Sequence, residues 1–301
     1  MEIEPAEWQE HRRYLFAVAY RLLGSAVDAE DAVQEAYLRL RTASPAELRH
    51  PRAWLTTVVS RICLDMLGSA RARRESYVGT WLPEPLVNYD DTDLADQAAM
   101  RESVRTAVLV VLESLTPAER VAFVLHDVFG MGFDRIAAAV GRTPAACRQL
   151  ASRARRQVRE QAPPRVPVDE AEHRRVVAAF LKATGDGDLV ELVSLLDPDV
   201  VVRSDGGGAV PAARHAVRGV ERVATLLAGL SRLYSGMRVR PVRVASGVGF
   251  VLIGDAGAVA VIGVELLDGR LAEVNVVVNP AKLTTVAVSL DPPVPGDLVL
   301  P

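Results

Sequence analysis

Apolar residues recur at helical spacing through the first 160 positions, then give way to short Val-rich runs beyond about residue 200. Trp8 to Leu23 carries a stripe of Leu15, Ala19, Leu22 and Leu23 that ends at Gly24, which predicts a first helix. A second begins near Val27, with Ser25 as its cap, and turns Ala32, Val33, Ala36, Tyr37 and Leu40 to the core. After a loop at 41–51, a third helix runs from Pro51 through Trp54, Val58, Ile62 and Met66 towards Arg74. Two prolines in Trp81-Leu82-Pro83-Glu84-Pro85-Leu86 forbid regular helix, so 81–95 reads as a linker, one whose apolar residues suit docking. Helices resume over 96–161, where Thr116-Pro117-Ala118-Glu119 combines an N-cap, a first-turn proline and a capping-box glutamate. A short helix over Phe133–Val140, a stop at Gly141 and a restart at Thr143-Pro144 make a helix-turn-helix pattern.

The prolines of Ala162-Pro163-Pro164-Arg165-Val166-Pro167 mark a boundary, and 168–283 reads differently. Two helices near 169–184 and 187–196 precede a strand at 200–203, a flexible Asp205-Gly206-Gly207-Gly208, and a helix at 219–233. Apolar runs near 237–245, 248–254, 257–266 and 270–278 follow, with Asp268-Gly269 as a hairpin turn between the last two. Helices followed by an antiparallel meander predict an α+β domain. The last residues, 284–301, hold four prolines and read as an extended tail.

Composition changes this picture little. The net charge of −3 excludes a uniformly basic nucleic-acid binder, but charge is unevenly placed: six arginines and no acid lie between Arg142 and Arg159. No uncharged apolar run is long enough to span a bilayer, and the acidic Met1–Glu10 stretch lacks a leader core. Two distant cysteines, Cys63 and Cys147, suit a reducing compartment, so a cytoplasmic protein with no membrane association is expected.

The arginine-rich helix carries the clearest chemistry. Cys147, Leu150, Ala151, Ala154 and Val158 form its apolar face; Arg148, Ser152, Arg155, Arg156 and Arg159 lie opposite, flanked by Gln149 and Arg153. Arginine and glutamine in a major groove bond phosphates and base edges, which points to DNA. On the second helix Asp31, Gln34, Glu35 and Leu38 share a face apart from the core stripe, suited to a basic partner helix or simply to solvent.

Three segments resemble a known family. Asp28-Ala29-Glu30-Asp31-Ala32-Val33-Gln34-Glu35-Ala36-Tyr37 resembles the core-polymerase-binding helix of extracytoplasmic-function (ECF) sigma factors. Trp54 to Asp65 is similar to the helix that reads and melts the minus-ten element, and Leu115–Arg120 with the helix-turn-helix resembles the domain that reads the minus-thirty-five element. The Trp81–Leu86 hexapeptide, Asp205–Gly208 and Asn279-Pro280-Ala281-Lys282-Leu283 resemble motifs of the SigJ-type subgroup, which carries a C-terminal SnoaL-like domain of NTF2-like fold. The chain departs from that subgroup at Ala281, where aspartate is usual, and from some relatives at Arg61, where they have asparagine.

The resemblance implies two all-α sigma domains, over 1–80 and 96–161, and an α+β NTF2-like cone over 168–283. It implies a sigma factor that directs RNA polymerase core to specific promoters, with no cofactor, no metal and no catalytic residue. Asp31, Gln34, Glu35 and Leu38 would face the clamp of the largest polymerase subunit. Arg61, Arg148, Gln149, Ser152, Arg153, Arg155 and Arg156 would contact promoter DNA. Trp81, Leu82, Pro83, Glu84, Pro85 and Leu86 would meet Asp205, Gly206, Gly207 and Gly208 and Asn279, Pro280, Lys282 and Leu283, letting the C-terminal domain tune activity in cis. That domain is also expected to offer a pocket for a small ligand of unassigned chemistry. The alternative is a helix-turn-helix regulator fused to a SnoaL-like enzyme or ligand-binding domain. An acid–base site there would draw on Asp205, His215, Glu265 and Asn275 and requires that they converge.

Overall fold

The computed structural model describes residues 5–44, 48, 50–75, 77–87, 106–161, 170–244, 247–286 and 298–299. The acidic half of the 81–95 segment, the prolines at 162–167, part of the 41–51 loop and most of the 284–301 tail lie outside them. The chain forms two compact units, one of residues 1–76 with 107–163 and one of residues 77–106 with 164–301.

The first unit is helical. Helices α1 (Pro5–Leu23), α2 (Ala26–Thr42) and α3 (Pro51–Glu75) pack on one another. Ser25 caps α2 by accepting from the Asp28 amide, as its spacing predicts. From Leu15 to Leu23, α1 is buried all round rather than along a stripe, because α2, α3 and a later π-helical turn all contact it. On α3, Leu55, Val59, Ile62, Cys63 and Leu67 are inside, while Trp54, Val58 and Met66 are half-buried. Tyr37 is exposed on α2, its ring 4.5 Å from that of Trp8.

Helix α4 (Thr106–Leu112) leads into α5 (Pro117–Phe123), whose capping box is complete: Thr116 accepts from the Glu119 amide and Glu119 bonds back to the Thr116 backbone. The π-helical turn Val124–Val128 follows; nothing in the apolar spacing signals it. Helices α6 (Phe133–Val140) and α7 (Pro144–Gln161) form the helix-turn-helix, with Gly141 in the left-handed conformation ending α6. Arg120, 2% exposed, is ion-paired with Glu113, which lets a guanidinium sit inside the unit.

In the second unit, helices α8 (Glu170–Asp186) and α9 (Leu189–Leu195) lead to strand β1 (Leu196–Asp205). Strand β2 (Val217–Arg218) and helix α10 (Val220–Leu233) precede a meander of β3 (Arg238–Val244), β4 (Gly247–Gly254), β5 (Gly257–Leu267) and β6 (Arg270–Val277). Helix α11 (Pro280–Leu283) and strand β7 (Leu298–Val299) complete it. The sheet order is β2-β1-β6-β5-β4-β3-β7, with β1 and β6 parallel and every other pair antiparallel. Asp268 and Gly269 both have positive φ and turn β5 into β6, as the Asp-Gly pair predicts. Val200, Val202, Phe250, Leu252, Val264, Val274 and Val276 pack with Phe180, Leu192, Val223 and Leu227 in one core. By strand alternation Arg203, Asp205, Glu265, Glu273 and Asn275 lie on the other sheet face. The fold is thus an all-α unit that contains a helix-turn-helix, and a second unit built on a mixed sheet with helices on one face.

Candidate nucleic-acid interface and linker clasp

Helix α7 buries Cys147, Ala151 and Ala154, so its opposite side must face outward. Arg148, Gln149, Ser152, Arg153, Arg156 and Arg159 are all exposed there. Arg155 differs: its Nε bonds Asp127 at 2.6 Å, tying α7 to the π-helical turn. On α2, Asp31, Gln34 and Leu38 are exposed and Leu38 is 51% accessible, a large apolar side chain without cover. Glu35 is half-buried and pairs with Arg39 one turn on, at 2.9 Å.

Arg61 takes an unexpected role. Its Nη2 and Nε donate to the Ala138 carbonyl at 2.6 and 3.1 Å. That carbonyl belongs to the last turn of α6, which has no intrahelical donor to spare, and a guanidinium there also suits the negative helix end. The helix expected to read the minus-ten element and the helix-turn-helix are therefore joined by the very arginine assigned to DNA.

The three motifs of the second unit converge on one carboxylate. Asp205, fully buried at the end of β1, accepts from the Tyr77 hydroxyl at 2.5 Å and the Gly207 amide at 3.0 Å through Oδ1. Its Oδ2 accepts from the Leu82 amide at 2.8 Å and Lys282 Nζ at 2.7 Å. Lys282 also donates to the Leu82 carbonyl and lies 4.2 Å from the centroid of the Trp81 ring. Asn279 caps α11 through the Ala281 amide and donates to the Tyr77 oxygen at 2.9 Å. Thr285 donates to the buried Glu84 at 2.8 Å. Leu82, Pro83 and Glu84 are buried, and Pro85 and Leu86 half-buried.

The glycines follow from this crowding. A Cβ on Gly206 would run into the Val210 carbonyl, and one on Gly207, at φ 62°, into the Asn279 amide. Gly208 leaves room for Val78. Burial, then the hydrogen bond to Asp205 and the charge of that carboxylate, push the Tyr77 hydroxyl well above the ordinary tyrosine range, so it remains a donor. The residue at 281 contributes its backbone amide and an exposed side chain, so alanine there leaves the cluster intact. Pro280 opens α11 and Leu283 is buried. Tyr77 lies outside the hexapeptide and carried no spacing signal; only the fold shows it.

The acid–base candidates are differently disposed. Asp205 is committed to the clasp and His215 is exposed. Glu265 and Glu273 are register partners on β5 and β6, and Arg203 bonds Glu273 at 2.8 Å. Burial first, then the Glu265 charge, raise the Glu273 carboxyl above its ordinary value. Asn275 is buried one alternation along from Glu273. Among the described residues no group of His, Cys, Asp and Glu side chains is disposed to hold a metal, and no helix is long and apolar enough to cross a membrane.

Comparison with known proteins agrees with this geometry. The Sigma-70 region 2 family matches residues 8–73 and the Sigma-70, region 4 family residues 105–158. Over 234 residues the chain is 48% identical to the ECF RNA polymerase sigma factor SigJ of Mycobacterium tuberculosis, spanning 77% of this chain and 74% of that protein. The chain belongs to the ECF RNA polymerase sigma factors. This sigma factor is also 38% identical over 284 residues to the "Probable ECF RNA polymerase sigma factor SigI" of M. tuberculosis, spanning 92% of this chain and 94% of the relative. The crystal structure of M. tuberculosis SigJ matches with a TM-score of 0.75 at 39% identity, over 93% of this chain and 98% of that one. Its two sigma regions and its third, mixed-sheet domain thus have their counterpart in a single relative. These relatives are named as sigma factors throughout.

Proposed function

We propose that this sigma factor reads a promoter with α3 and α7 while the exposed face of α2 holds polymerase core, and that its C-terminal domain tunes this activity in cis by gripping the chain between the two readers. Arg148, Gln149, Ser152, Arg153 and Arg156 take the upstream element, and Asp31, Gln34, Glu35 and Leu38 take the clamp. Arg61 joins the downstream element once it leaves Ala138. Arg155 acts through Asp127, holding α7 rather than touching DNA.

The observation that carries the regulatory part is the Asp205 clasp, because it anchors the segment whose length governs how far apart the readers can work. Residues 76–105 connect α3 to α4 and, if free, span roughly 100 Å when extended. With 77–87 held on the C-terminal domain, only 88–105 remain, a contour of roughly 60 Å. A clasp carried on the same chain acts at high effective concentration, so modest contacts suffice. A ligand of the C-terminal domain would act on this device only by binding the clasped and released forms unequally. Transcription in vitro with purified core tests the reading: Lys282→Met and Asp205→Asn should each change promoter-dependent output in the same direction, and loss of 168–301 should change it further. Output equal to wild type in all three would defeat the regulatory reading, while absence of any promoter-dependent transcript would defeat the assignment to promoters itself.

A further inference from the structure

One cavity in the helical unit is left without a role. It is open to solvent on one side and has a volume of ≈ 590 Å³ between α1, the start of α3 and the segment from Phe129 to Arg135 that opens α6. The first turns of α3 and α6 both line it, so two helix N-termini present their positive ends to one space. Helix α3 has no acidic residue in its first turn; α6 begins at Gly132 without a side-chain cap, and the one acid of its first turn, Asp134, is exposed and does not line the cavity. Arg52 and Arg135 add formal positive charge; neither has a carboxylate partner among the described residues, and Glu7 is the one lining carboxylate. His11 is 9% exposed, and its Nε2 makes no hydrogen bond; the nearest acidic oxygen, of Glu7, is 3.6 Å away. The walls are aromatic as well: Arg52 lies 4.0 Å from the Tyr14 centroid, and Tyr14 meets Phe129 edge-on at 5.5 Å.

We infer that this cavity binds a small organic anion, a phosphate or carboxylate carried on a flat ring, through Arg52, Arg135 and His11 with Tyr14 and Phe129 as the ring's walls. Guanidinium groups and helix N-termini both select such anions, and the aromatic edges select a ring over bare phosphate. The consequence rests on the function proposed above. The cavity is built jointly by the region-2 helices and the region-4 segment, which pack together here. The minus-ten and minus-thirty-five elements lie about 25 base pairs apart, roughly 85 Å along the duplex, so both readers cannot stay packed while both bind. An anion that needs both walls binds the packed form alone and opposes promoter engagement.

Calorimetry on the full chain with phenyl phosphate tests the site without any transcription. Saturable one-site binding is expected, tighter than inorganic phosphate, and weakened at least about tenfold, or ~1.4 kcal/mol, by Arg135→Gln. Arg135 is exposed, so that variant keeps its fold; His11→Phe, checked by thermal unfolding, gives a second variant with the same expected loss. No saturable binding, equal affinity for inorganic phosphate, or affinity unchanged in both variants would overturn the site. Phenyl phosphate should also slow promoter opening by wild-type holoenzyme and not by the Arg135→Gln holoenzyme. Saturable binding with opening rates unchanged would overturn the regulatory role, and because wild type without the compound must first yield transcript, that failure is distinct from failure of the sigma reading.

Discussion

Asp205 accepts four hydrogen bonds on two oxygens, from Tyr77, Leu82, Gly207 and Lys282, and only an ionised carboxylate offers that many acceptor sites. An amide in its place would turn an NH2 group towards Lys282 or the Leu82 amide and leave the lysine charge uncompensated. Asp205→Asn is therefore expected to cost about 3 kcal/mol in the C-terminal unit, with faster amide exchange at Leu82; unchanged protection of that amide would count against the clasp. Gly207→Ala should act alike through strain and the Asn279 contact. Glu273 sets a different test. Its carboxyl titrates above the ordinary value of 4.5 in the folded state, so the native form holds a proton more tightly than the unfolded chain. Its stabilising contribution is complete below the unfolded pKa and is lost as pH rises through the higher folded value. Unfolding melts across mildly acidic pH should show that decline in wild type and a flatter profile in Glu273→Gln. The residue types at these positions were legible in the sequence, but the pairing of Glu265 with Glu273 was not, because register is set by the neighbouring strands.

Helix ends were the most readable elements, since capping depends on residues three or four apart. Ser25, Thr116 and Thr143 cap as their spacing predicts. Thr116→Ala should lower the melting temperature through a loss of about 1 kcal/mol; an unchanged midpoint would mean the capping box contributes nothing. Helix faces were harder. From Leu15 to Leu23 α1 proved buried all round, because packing on several sides overrides a single periodic face. For α7 the exposed arginines carry the DNA contacts proposed above. If Arg153 and Arg156 meet phosphates in the interface proposed above, alanine at either should weaken all promoters alike and reduce the salt slope by about one. If Arg148 reads a base edge there, its replacement should instead relax sequence preference. Arg155→Ala should lower stability and leave the salt slope unaltered, which binding titrations at several salt concentrations would separate.

At the scale of the whole molecule, the segment after α3 belongs with the C-terminal unit rather than with either reader. Removing 168–301 should release 77–87, detectable as new protease cleavage near Trp81, together with altered promoter output; resistance of that segment in the truncated chain would rule out the clasp as its anchor. The order of helices, the helix-turn-helix, the basic face of α7, the Asp-Gly hairpin and the change from helical to mixed structure were determined by the sequence itself. Each depends on local spacing, on glycine or proline stereochemistry, or on the alternation of apolar and polar positions. Tertiary structure alone decided that Tyr77 joins Asp205, that Lys282 reaches the Leu82 carbonyl, that Arg61 bonds Ala138, and that two helix starts share a cavity with Arg52 and Arg135. These partners stand between 77 and 200 positions apart or on different helices, and no local preference of the chain encodes which distant donor will meet a buried acceptor. Desolvation makes the choice: once packing removes water from a carboxylate or a helix end, whichever donor the fold brings within reach must replace it.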